Sequence, residues 1–151
     1  MIFDRTQNDV DASKDLIKEK VQTFQTLTTD EVETLERGTL TINTLNRIES
    51  KQKEIASVLN FFHYYVDIYN KTDWNEGDIF GYSDFSRILS NLSKIKEAYY
   101  TFVSSPNIPD TLYEYQKLND AEKLLVDIET IINNMKKSFQ YMYSEIYMGG
   151  I

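Results

Sequence analysis

Three stretches of this chain repeat one spacing of apolar residues, 3-4-3-4, and that limits the fold more than any other feature. The first reads Leu45, Ile48, Gln52, Ile55, Leu59. The second reads Phe85, Ile88, Leu92, Ile95, Tyr99, and the third Leu118, Ala121, Leu125, Ile128, Ile132. Only Gln52 breaks the pattern. Such spacing lines one narrow face of an α-helix, as in coiled coils and helical bundles. The likeness extends past the stripe. Leu45-Asn46-Arg47-Ile48-Glu49 matches Phe85-Ser86-Arg87-Ile88-Leu89, and it matches Leu118-Asn119-Asp120-Ala121-Glu122 more loosely. The offsets between copies are unequal, which argues against a solenoid with a fixed repeat length.

The rest of the chain supports long helices. Only 5 Gly and 2 Pro interrupt 151 residues, and hydrophobic residues make up 41%, enough for a packed core. A first helix is expected over Val10 to Phe24 with Asp9 as its cap. A second should start at the capping-box pair Thr28 and Glu31 and stop at Gly38, in a left-handed C-cap. Asn43 should cap a long helix reaching Tyr69, and Ser83 another reaching Val103. A break at residues 104–109 holds both prolines, and a last helix runs from the Thr111–Glu114 pair to Tyr147, continuous or broken near Leu118. The expected fold is all-α. A bundle of two or three long antiparallel helices fills residues 43–151, and residues 1–42 form an N-terminal arm of one or two short helices.

Composition narrows the function classes. The net charge is −8 and no basic stripe stands out, so there is no electrostatic footprint for nucleic acid or for an anionic membrane. No stretch approaches the roughly 20 apolar residues that span a bilayer, and the first residues lack the pattern of a secretion signal. With no cysteine, disulfides, thiolate metal sites and cysteine nucleophiles are absent. His63 is the only histidine and is expected mid-helix, so no metal site can use two histidines. HExxH, Walker A and GxSxG patterns are missing. Asp73 to Asp78 superficially resembles a calcium loop, but its glycine falls at the fifth position rather than the sixth, and Asp84 stands where the closing Glu belongs. A turn anchored by a buried Trp74 is the expected reading. No catalytic residue, cofactor or metal is therefore expected.

Two short patterns bring in a resemblance. Gly38-Thr39-Leu40-Thr41-Ile42-Asn43-Thr44-Leu45-Asn46-Arg47-Ile48-Glu49 resembles a motif of tail and baseplate structural proteins of phages and prophages from Firmicutes. So does the tryptophan turn Lys71 to Phe80 followed by Asp84-Phe85-Ser86-Arg87-Ile88, and Arg5-Thr6-Gln7-Asn8-Asp9-Val10 resembles the way such modules begin. The third copy departs, with Asp120 in place of arginine. The resemblance implies a virion part near the tail fibres or baseplate, made in the bacterial cytoplasm and without enzymatic activity or cofactor. Its implied partners are other virion or tail proteins.

Apart from the resemblance, Arg47 and Arg87 near the positive ends of their helices call for a carboxylate or carbonyl partner. They are solvated or locally paired, or they clamp a neighbouring loop or subunit. The 11 Tyr and 8 Phe cluster too widely for one helix face to hide them, which points to interfaces. The residues expected to set geometry or make contacts are Arg47, Trp74, Arg87, Tyr141, Tyr143 and Tyr147. The leading expectation is a structural adaptor, present as a homo-oligomer or in several copies of an assembly. The alternative is a small cytoplasmic helical regulator or inhibitor that binds one protein partner.

Overall fold

The structure, a computed structural model, describes the backbone of residues 1–149 and the side chains of residues 1–143. The described residues are all-helical, without a strand. In chain order the helices are α1 (Gln7–Leu16), extended by a π-turn over Ile17–Val21, then α2 (Thr29–Gly38), α3 (Ile42–Phe61), α4 (Tyr82–Ala98) and α5 (Tyr115–Gly149).

Most helix starts fall a few residues ahead of the expected ones, because the capping chemistry sits there. Thr6 is the N-cap of α1, and Asp9 at the third helical position reaches back to it. The Thr28–Glu31 capping box opens α2 as expected. Thr41, not Asn43, caps α3, its hydroxyl accepting the Thr44 N–H at 3.2 Å. Gly81 precedes α4, and the Asp84 carboxylate accepts its N–H at 3.1 Å. Arg47 and Arg87 consequently lie in the second turn of their helices, past the strongest part of the positive helix end. The last helix begins at Tyr115 and is continuous through Leu118.

Gly38 ends α2, but not by a left-handed turn, since no described glycine has positive φ. It is needed for space. A Cβ there would lie 1.9 Å from Ser13 Oγ and 2.2 Å from the Asp9 carbonyl, where α1 crosses α2. Gly38→Ala will therefore pry the α1–α2 hairpin apart, at about 2–3 kcal/mol or more of local stability. Hydrogen exchange should rise across α1 and α2 and stay unchanged in α3 to α5.

Contrary to expectation, α3 stops at Phe61, and His63 lies beyond its end at φ 65 rather than mid-helix. Histidine is among the residues that tolerate this left-handed region. The aromatic run that follows favours extended chain. Asn60 holds the reversal, accepting the Val66 N–H at 2.7 Å and donating to the Val66 carbonyl at 3.1 Å.

All three stripes face inward. Thirteen of their fifteen residues are buried, and Phe85 and Tyr99 are half-buried against the same core. Each fully buried Leu or Ile contributes roughly 1.5–3 kcal/mol. Gln52 is buried without loss, since it donates to the Ile88 carbonyl at 2.9 Å and accepts from Asn70 at 2.9 Å.

The direction of the helices differs from the antiparallel expectation. Arg87 near the start of α4 reaches Glu49 near the start of α3, and Arg47 near the start of α3 reaches Glu122 near the start of α5. At the far end, Phe62 meets Phe139, and Tyr64 meets Tyr99. The three long helices therefore run parallel. Residues 62–81 and 99–114 carry the chain back along the body as extended returns. Extended chain advances about 3.3 Å per residue against 1.5 Å in a helix, so roughly ten residues suffice to run back beside a 20-residue helix.

Candidate functional site

Two buried carboxylates organise the end of the body where the long helices start. Glu122, fully buried on α5, accepts from Arg5 at 2.8 Å and Arg47 at 2.9 Å through Oε1, and from the Ile2 N–H through Oε2. One turn earlier, Asn119 grips Arg5 by its backbone. The amide oxygen accepts the Arg5 N–H at 3.1 Å, and the amide nitrogen donates to the Arg5 carbonyl at 3.0 Å. An extended segment, residues 2–5, is thereby clasped onto α5.

Glu49, fully buried on α3, repeats this atom for atom. Its Oε1 accepts from Trp74 Nε1 at 2.9 Å and from Arg87 at 2.6 Å, and its Oε2 accepts the Lys71 N–H at 2.7 Å. Asn46, one turn earlier, grips the Trp74 backbone with bonds of 2.8 and 3.1 Å. Trp74 thus corresponds to Arg5, Lys71 to Ile2, and Arg87 to Arg47. The gripped segments also match in sequence, Asp4-Arg5-Thr6-Gln7-Asn8-Asp9-Val10 against Asp73-Trp74-Asn75-Glu76-Gly77-Asp78-Ile79. In both, the second Asp of the pair closes the turn, Asp9 on the Thr6 N–H at 2.7 Å and Asp78 on the Asn75 N–H at 2.9 Å.

The arrangement is cyclic. Each extended segment leads into one copy of the motif and docks on the helix of another, and the arginine of one helix serves the glutamate of the next. The third place in the cycle has neither the glutamate nor the arginine. Leu89 on α4 stands where glutamate would be, and Asp120 on α5 where arginine would be. Either one alone would be a buried charge without its partner, so the absence of both is physically consistent. There the segment ahead of α5 packs by apolar contact, with Leu112 buried and Tyr113 stacked on Phe85 at 5.8 Å.

Trp74 is buried as expected, and Lys71 Nζ stands 4.2 Å from its ring centre. Asp78 is held below the usual carboxylate range, mainly by its hydrogen bond from Lys71. The turn is thus closed by a lysine and a backbone N–H, and the described residues contain no cluster of three metal-ligating side chains. Arg37 fixes the N-terminal hairpin in the same manner. Its hydrogen bond to Asp9, 3.0 Å long, holds that carboxyl down at about 2.

Chemically, these carboxylates are occupied. Both oxygens of Glu49 and of Glu122 already accept hydrogen bonds from fixed donors, so neither offers a ready base toward a substrate. His63 is exposed, and its imidazole Nδ1 lies 3.1 Å from the Tyr65 hydroxyl.

The opposite end of the body is aromatic and open. A groove of about 1240 Å³ is lined by Val58, Phe61, Phe62, Lys136, Phe139 and Tyr143, among others. Tyr141 and Tyr143 are exposed there, and Tyr147 lies outside the described side chains. The structure thus gathers Trp74, Arg87 and Arg47 at one end and puts Tyr141 and Tyr143 at the other.

Sequence reasoning missed Arg5, Asn46, Glu49, Asn119 and Glu122. The available signal was that the first and third motif copies share Asn and Glu at matching positions, while the first and second share Arg. Receptor and donor halves of the clasp are distributed unequally among the copies. Set against models of known protein families, against curated proteins and against solved structures, the chain matches none of them.

Proposed function

We propose that this chain is a structural adaptor of a phage tail, baseplate or tail-like particle, acting by protein–protein assembly, in several copies, with no catalytic step. The observation that carries this reading is the clasp pair. The stretches on which the resemblance to tail and baseplate proteins rests include Arg5, Asn46, Arg47, Glu49, Trp74 and Arg87, which lock extended segments onto helices. A motif of that kind transmits position rather than chemistry. The buried charge-assisted hydrogen bonds make a rigid end, and the exposed tyrosines and phenylalanines of the other end have the composition of contact surfaces. Among the described residues no helix is long and apolar enough to cross a membrane.

The test is direct. Particles purified from a producing strain should contain the chain in fixed ratio to a tail protein by quantitative mass spectrometry, and label against it should decorate the tail. Particles that lack it, while the free protein is abundant in the same cells, would refute the assignment.

A further inference from the structure

We infer that the groove between α3 and α5 takes an extended segment of a partner protein, apolar at alternate residues, carrying an acid and running opposite to the helices. This does not rest on the tail assignment, because it is tested on the purified chain alone.

The other two grooves of the body already hold extended segments, both supplied by this chain. Residues 62–74 return between α3 and α4, with Val66 buried and Ile68 half-buried. Side chains of both helices bond their backbone. Asn60 holds Val66 at 2.7 and 3.1 Å, Lys94 donates to the Asp67 carbonyl at 2.9 Å, and Asn91 to the Tyr69 carbonyl at 2.6 Å. Residues 99–112 return between α4 and α5, where Lys96 donates to the Pro106 carbonyl at 3.2 Å and Ser105 to Asp127 at 2.7 Å. The third groove is different. Arg5 corresponds to Trp74 and Met1 to Asn70, so residues 1–5 cover only its top. No described residue corresponds there to the stretch 62–69.

Yet α5 continues the receptor pattern below the clasp. Asn46, Glu49 and Asn60 of α3 recur at the same spacing as Asn119, Glu122 and Asn133 of α5. The first two of each set hold a docked segment, and Asn60 holds Val66. Asn133 is exposed and stands about one turn before Lys136, which lines the groove. Glu129 takes the place of Ala56 and is joined across the groove to Lys51 at 2.7 Å, so the open part lies below that bridge. It measures about 1240 Å³, and its walls include Val58, Phe61, Lys136 and Phe139. Phe61 is 77% exposed.

The occupied groove shows what suits the open one. At the level of Asn60 the returning chain reads Tyr65-Val66-Asp67-Ile68, alternately outward and inward. In the third groove such a segment puts its apolar side chains on Val58, Phe61 and Phe139, and its backbone on Asn133. Backbone bonds supply affinity in this mode, and the pockets for alternate side chains supply selectivity. Charge adds the acid. Residues 55–65 and 130–143 contain Lys136 and Lys137 but no Asp or Glu, a basic patch on a chain of net charge −8.

The peptide Tyr64–Asn70, made separately, is the probe. Added to the isotope-labelled full chain, it should shift the amide signals of Val58, Phe61, Asn133 and Lys136 saturably, and leave those of Ile79 and Tyr82 at the other end unchanged. Phe61→Glu should weaken binding at least tenfold with unchanged helical circular dichroism. Asn133→Ala should weaken it about fivefold, the worth of one net hydrogen bond. The peptide with Val66→Asp should not bind. No saturable shift at millimolar peptide, shifts confined to another surface, or binding indifferent to Phe61→Glu would each overturn the proposal. So would a dimer that Phe61→Glu dissociates, since a second copy would then fill the groove.

Discussion

Glu122→Ala will cost about 3–5 kcal/mol of folding stability, the largest loss expected from any single charged residue in the chain. The carboxylate collects three donors from three places in the sequence: the Ile2 N–H, Arg5 and Arg47. Arg5 is almost entirely buried, so without Glu122 its guanidinium must stay unpaired in the interior or pull residues 2–5 off α5. The second outcome is the cheaper one, since the segment is extended and is otherwise held by the Asn119 clasp. Urea denaturation should show the lost stability. Hydrogen exchange should show the Arg5 amide, bonded to Asn119, losing its protection. Arg47→Ala should cost much less, because that side chain is partly exposed and Glu122 keeps Arg5. A Glu122→Ala loss below about 1 kcal/mol would mean that the buried pair merely offsets its own desolvation.

Trp74→Ala comes next, with about 3–5 kcal/mol expected from removal of a buried indole. The ring packs in the core, stands edge-on to Phe80 at 5.8 Å and donates to Glu49. Its loss leaves a cavity and takes one of three donors from a fully buried carboxylate, so both terms act in the same direction. Trp74→Phe separates them. It keeps most of the apolar area and loses only the Nε1–H bond, and should cost about 1–2 kcal/mol. As the chain has a single tryptophan, its fluorescence also reports the unfolding of wild type at this site. Equal losses in Trp74→Phe and Trp74→Ala would show that the hydrogen bond to Glu49, not packing, is what Trp74 supplies.

Much of the fold was legible beforehand because it is local chemistry. Leu45, Ile48, Ile55 and Leu59 recur at helical spacing, and that periodicity alone puts them on one face. Thr28 and Glu31 close a capping box within one turn, which also needs nothing distant. Where reading failed, a neighbour in space had taken over. Gly38 looked like a helix terminator, but its missing side chain makes room for Ser13, which no local rule anticipates. His63 lay in an aromatic run that could continue a helix, until Asn60 tied the backbone of Val66 across the turn. Glu49 and Glu122 were not singled out because their partners lie far along the chain, 38 residues for Arg87 and 117 for Arg5.

By itself, the sequence determined that the chain is helical and which face of each long helix is apolar, and it pointed two arginines near helix starts toward a carboxylate or carbonyl partner. The tertiary structure alone decided that the long helices run parallel and which carboxylate each arginine meets. The reason is that a 3-4-3-4 stripe reads the same from either end and carries no direction. Direction comes from the extended returns over residues 62–81 and 99–114, which carry the chain back to the starting end; there Asn46 and Glu49 hold Trp74, and Asn119 and Glu122 hold Arg5.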